Sequence, residues 1–130
     1  MRIYLSPLGF DPSPIISLVV RSGIERGDRI CLIRPETGED LRADRAIETI
    51  RETTQRFSDG INIDVLRVNN RSIESMTLTF LDEICASTPP YLPDSSLTVN
   101  LSGGPREVLV ALTIATLILA PRIHQCATFS

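Results

Sequence analysis

The sequence predicts an α/β fold, with residues 1–130 forming one domain on a Rossmann-like, doubly wound, mostly parallel sheet of strand order 3-2-1-4-5. Three observations carry this expectation. Strand-like runs alternate with helix-like stretches four times, and the chain ends on a further strand-like run. Residues 96–120 read SLTVNL, then SGGPRE, then VLVALTIATLILA: a buried strand, a glycine turn and a long apolar helix in succession. A chain of 130 residues is also long enough to bury a sizeable core within a single domain.

Taken in order, residues 2–6 form a short apolar run and the first predicted strand. Pro7, Leu8, Gly9, Phe10, Asp11 and Pro12 make a turn-rich loop. Ser13 is placed to cap a short helix, with Pro14 at its first position and its end near Gly23. Residues 28–34 are the second strand, ended by Pro35. Residues 39–57 are the clearest amphipathic helix. Ala43, Ala46, Ile47, Ile50 and Phe57 share one face, and Arg and Glu side chains occupy the other. Asp59-Gly60 ends it, and residues 61–68 alternate as the third strand. Ser72 caps a third helix with Ile73, Met76, Phe80, Leu81 and Ile84 on one face, stopped at Ser87-Thr88-Pro89-Pro90. A proline-rich connection to Asp94 leads into the fourth strand, where Leu97, Val99 and Leu101 alternate. Pro105 suits the first position of the fourth helix, and Glu107 complements its dipole. Residues 122–130 read as the fifth strand, with His124 and Gln125 on it.

Composition excludes several function classes. The net charge of −3 and pI near 5.1 oppose a general nucleic-acid-binding surface. All 13 basic residues are Arg, which removes Schiff-base and Walker-lysine chemistry. No G-x-G-x-x-G and no P-loop occurs, so a dinucleotide cofactor and a P-loop nucleotidase are disfavoured; no cofactor is expected. The acids do not cluster, so no metal site is expected. Cys31, Cys85 and Cys126 lie far apart in apolar contexts and read as buried free thiols of a cytoplasmic protein. The apolar run 108–120 is too short to span a bilayer, and the N-terminus lacks a signal-peptide pattern.

In the 3-2-1-4-5 order, strands one and four are neighbours and the winding reverses between them, which is where open α/β sheets bind ligands. The loops there are residues 6–13 and 102–106. They offer the hydroxyls of Ser6, Ser13 and Ser102, the amides of Gly9, Gly103 and Gly104, and the guanidinium of Arg106. This set suits recognition of a phosphate better than its hydrolysis. Neither loop holds a His to act as base. Phe10 suits either stacking on a base or an inward core position. The helix that follows has no polar face, interrupted only by Thr113 and Thr116. Either it lies centrally under other helices or, as favoured here, its second side meets another subunit.

An opening strand followed by Pro7-Leu8-Gly9-Phe10, and a late strand followed by N-L-S-G-G-x-R at Asn100 to Arg106, resemble the CRISPR-associated Rossmann-fold (CARF) domains. The closest likeness is to the N-terminal sensor domain of archaeal CRISPR transcription regulators, and it covers the whole chain in element order. The resemblance implies a homodimer, here joined through the 108–119 helix, with one two-fold pocket for cyclic oligoadenylate, most often the tetramer, in type III CRISPR antiviral signalling. It implies ligand-binding roles for Ser6, Leu8, Gly9, Phe10, Ser102, Gly103, Gly104, Pro105 and Arg106. Regulators of this type carry a C-terminal winged helix-turn-helix. The chain ends at Ser130 without one, so no direct DNA binding is expected of it, and it reads as a truncated or stand-alone sensor domain. Some CARF domains slowly cleave their ligand without metal, and a ring nuclease is the alternative. In that case Ser6, Ser102 and Arg106 would hold the in-line geometry and stabilise charge.

Overall fold

The computed structural model describes residues 1–36, 40–89 and 94–127. Five strands form one sheet: β1 (Arg2–Pro7), β2 (Arg29–Pro35), β3 (Asn62–Val68), β4 (Ser96–Asn100) and β5 (Gln125–Ala127). Four helices alternate with them: α1 (Ser13–Ser22), α2 (Leu41–Phe57), α3 (Ile73–Ser87) and α4 (Arg106–Ile118). The sheet order is β3-β2-β1-β4-β5 and every pairing is parallel, as expected.

The layers follow from the two-residue period of a strand. Ile3, Leu5, Cys31, Ile33, Leu97 and Val99 point to one face. There they pack with Met76, Phe80 and Ile84 of α3 and Val108, Ala111, Leu112 and Ala115 of α4. Tyr4, Ile30 and Leu32 point to the other face, against Ile15, Leu18 and Val19 of α1 and Ala43, Ala46 and Ile50 of α2. The three central strands are buried on both sides, whereas β3 at the edge is mostly exposed or half-buried.

Several local expectations need correction. Ser13 does not cap α1: Pro12 holds the cap position, and the Asp11 carboxylate accepts the Ser13 N–H at 2.9 Å. Asp40, not Glu39, opens α2, its carboxylate accepting the Arg42 N–H at 2.9 Å; Glu39 lies outside the described residues. Pro105 is the cap of α4 rather than its first residue, with an extended ψ of 144°. Phe57, the last residue of α2, is 57% exposed rather than part of the buried face. Ile73 is likewise exposed at the start of α3. Leu101 lies just past β4 and packs half-buried against the core. The fifth strand starts only at Gln125, because a short 3-10 turn over Ala120–Arg122, containing Pro121, follows α4; His124 precedes the strand, and residues 128–130 lie outside the described residues. Of the three thiols only Cys31 is buried; Cys85 and Cys126 are exposed. Ser72 caps α3 as expected, accepting the Ser75 N–H at 3.0 Å.

Candidate functional site

Because β1 and β4 are parallel neighbours and the winding of the sheet reverses between them, the loop after β1 meets the turn after β4 at the carboxyl edge of the sheet. The contact is close at the glycines. A Cβ on Gly9 would lie 3.4 Å from the Gly104 nitrogen, and one on Gly104 would lie 2.7 Å from Pro7 Cβ. Gly104 also has φ +71° and Gly103 φ +80°, the left-handed region that other residues enter at a cost. Two needs therefore coincide at Gly104, and substitution there strains the loop junction itself, apart from any blocking of a ligand. Gly103 faces open space.

A relay of side-chain hydrogen bonds stitches the two loops together. Ser102 Oγ donates to Asn100 Oδ1 at 2.7 Å, and Asn100 Nδ2 donates to Ser6 Oγ at 3.0 Å. Ser6 Oγ in turn donates to the Pro7 carbonyl at 3.0 Å. Ser6 and Asn100 are fully buried. The Ser6 hydroxyl therefore works inside the junction rather than at its surface. Leu8 is also buried, its side chain in the α1–α2 core and its N–H bonded to the Ile33 carbonyl at 2.8 Å.

What the junction presents outward is a smaller set. Gly103, Gly104 and Arg106 are exposed, and Gly9, Ser102 and Pro105 are half-buried. Arg106 makes no ion pair among the described residues. The neighbouring Glu107 instead accepts a hydrogen bond from Asn70 Nδ2 at 3.3 Å, which ties the β3–α3 loop to the start of α4. Phe10 is not a core residue: it is exposed, with the Arg42 guanidinium over its ring. Ser13 lies in the first turn of α1, its N–H spent on Asp11. That bond holds the Asp11 carboxyl below the usual range, and the bond from the Arg42 N–H does the same for Asp40. Both acids are ionised at neutral pH.

Sequence reasoning missed Asn100 and Asn70 as site-building residues. Asn100 stood within the quoted motif, but its partner Ser6 is 94 positions away, and no local pattern reveals that pairing. His124 sits before β5, bonded through its N–H to the Leu97 carbonyl at 2.8 Å, away from the carboxyl edge. Among the described residues no group of three or more His, Cys, Asp or Glu converges, and no helix is long and apolar enough to cross a membrane.

The fold defines a Rossmann-like α/β domain, with this loop junction at the topological switch point of its sheet. The chain belongs to the family described as the Csa3 CRISPR-associated Rossmann-like domain, whose model matches residues 2–124. No curated protein sequence matches it. Among solved structures it is similar to Enterococcus italicus Csm6 bound to cyclic hexa-2'-fluoro-hexa-dAMP, with a TM-score of 0.72 at 15% sequence identity. That match covers 100% of this chain and 34% of the Csm6 chain, so the present chain spans about a third of that protein. At this identity the likeness establishes the fold.

Proposed function

We propose that this domain is a cyclic oligoadenylate sensor of type III CRISPR antiviral signalling, acting in the cytoplasm as a homodimer. The observation that carries the reading is the outward set at the switch point. The exposed Gly103 and Gly104, and an Arg106 that makes no ion pair among the described residues, sit at the start of a 13-residue helix, where backbone N–H groups and the helix dipole favour an anion. Family membership supplies the CRISPR context, and the ligand in the Csm6 structure supplies the ligand class to test. The proposed contacts are Gly9, Phe10, Ser102, Gly103, Gly104, Pro105 and Arg106, with the backbone of Leu8 beside them. Ser6 is assigned the role of brace.

The proposed dimer rests on α4. Its buried stripe includes Val108, Ala111, Leu112 and Ala115, while Val110, Ile114, Leu117 and Ile118, at helical spacing along another face, are exposed. Such a contiguous apolar face suits a second copy, which would double the phosphate sites around a two-fold ligand. The tie-up of the Ser6 and Ser102 hydroxyls in the relay supports sensing over cleavage.

Calorimetric titration of the wild type with cyclic tetra-adenylate and cyclic hexa-adenylate tests the reading, with product analysis in EDTA alongside. Binding without linear products is expected. No binding of either ring would overturn the sensor assignment, and rapid linear products would replace it with a ring nuclease.

A further inference from the structure

Phe10 is 55% exposed although Arg42 already covers part of it, the guanidinium carbon lying 4.0 Å from the ring centroid. A Phe in a loop that kept its ring out of the core has forfeited its largest stabilising contribution. It is nonetheless held. Arg42 comes from the first turn of α2, where its N–H bonds the Asp40 carboxylate at 2.9 Å and its Nε lies 3.5 Å from the same oxygen. One turn in, Asp44 accepts from Nη1 of the buried Arg34 at 2.8 Å, which pins α2 to the carboxyl end of β2. A continuous set of contacts thus runs from β2 through α2 to the Phe10 ring. Phe10 directly follows Gly9, where an added Cβ would lie 3.4 Å from the nitrogen of Gly104 in the proposed phosphate site.

We propose that Phe10 is the stacking platform for a nucleobase of the bound ligand, and that Arg42 is the positioning residue that holds its ring. This rests on the cyclic oligoadenylate reading and assigns the base-recognition part of that site. Arg42 lies over the π-system, and more than half of the residue's surface remains in solvent, where a base can stack. Stacking also explains how a site whose other groups address phosphate would favour a ligand that carries bases. Arg34 and Asp44 act one step further back, by fixing the turn that carries Arg42.

The chain has no Trp, so Phe10→Trp installs a unique fluorophore at the platform. Titration of that variant with cyclic tetra-adenylate is expected to quench the indole emission, at a midpoint matching calorimetry. Phe10→Leu, which keeps apolar bulk but no π-face, is expected to weaken binding of wild-type ligand roughly tenfold. Adding Arg42→Met to Phe10→Trp is expected to lower the indole anisotropy without ligand and to weaken binding several-fold, at about unchanged melting temperature; Arg42→Lys restores most of both. Calorimetric binding with unchanged indole emission, or Phe10→Leu binding as tightly as wild type, overturns the platform and leaves the sensor reading standing. Unchanged anisotropy and affinity in Arg42→Met overturn the positioning role. Absence of any cyclic oligoadenylate binding by the wild type overturns the sensor reading and this assignment together.

Discussion

Asn100 is the residue on which the site's shape depends most. Both ends of its amide are used, one for Ser6 and one for Ser102, and it is fully buried. Asn100→Leu removes both bonds and breaks the link between the two loops, while Ser6 keeps its bond to the Pro7 carbonyl. We expect a loss of about 1–3 kcal/mol in stability, read as a lower midpoint of urea unfolding. An unchanged midpoint would show that the relay contributes nothing. The strand-to-helix glycine turn around Asn100 was legible, but the inward role of Ser6 was not, because burial of a loop hydroxyl depends on a distant strand. Cys31 gives a second test at this scale. Burial, aided by the nearby Glu83 charge, pushes its thiol from the ordinary 9.0 up to about 12. The folded state therefore holds that proton more tightly than the unfolded chain. Its contribution to stability is intact below pH ~9 and declines as the pH rises towards 12. With a maleimide at pH 7, Cys85 and Cys126 should label in the native protein and Cys31 only after denaturation. Rapid native labelling of all three would contradict the burial.

At the scale of elements, α4 shows what periodicity cannot decide. An all-apolar helix has no polar face to mark its outer side, so the sequence announces burial on two sides without saying which residues serve which. The structure separates them: Leu112 is fully buried against the sheet and α3, while Leu117 is 73% exposed. The two therefore respond differently to the same change. Leu112→Glu places a charge in the core, costs several kcal/mol, and is expected to give unfolded or insoluble protein (~3–5 kcal/mol). Leu117→Glu leaves the fold intact and is expected to convert the proposed dimer to a folded monomer, seen by static light scattering with an unchanged circular dichroism spectrum. A wild type that is monomeric at tens of micromolar would remove the two-fold pocket. Element ends were less legible than elements. Pro12 holds the cap position expected of Ser13, and the cap of α2, for which spacing named no residue, is Asp40; several neighbouring polar side chains can serve at a helix start and local geometry selects one.

For the whole molecule, strand order was readable because few arrangements satisfy right-handed crossovers and burial of β1, β2 and β4 on both faces. That order alone places the β1 loop beside the β4 turn, so the meeting of the two loops could be read before any contact was known. The pairing of Arg42 with Phe10 was not readable. It depends on α2 delivering Arg42 to a ring 32 positions earlier, a meeting set by how the helix lies on the sheet. The central claim, that the switch-point turn holds a phosphate of cyclic oligoadenylate, has a direct test. Arg106 is exposed, and its removal does not touch the core. Its charge-assisted hydrogen bond is worth roughly 1.5–3 kcal/mol, and a two-fold dimer uses it twice. Calorimetric titration of wild type and Arg106→Ala with cyclic tetra-adenylate should show affinity falling on the order of a hundredfold or more, at nearly unchanged melting temperature without ligand. Equal affinity of the two proteins would contradict the account and put the ligand elsewhere.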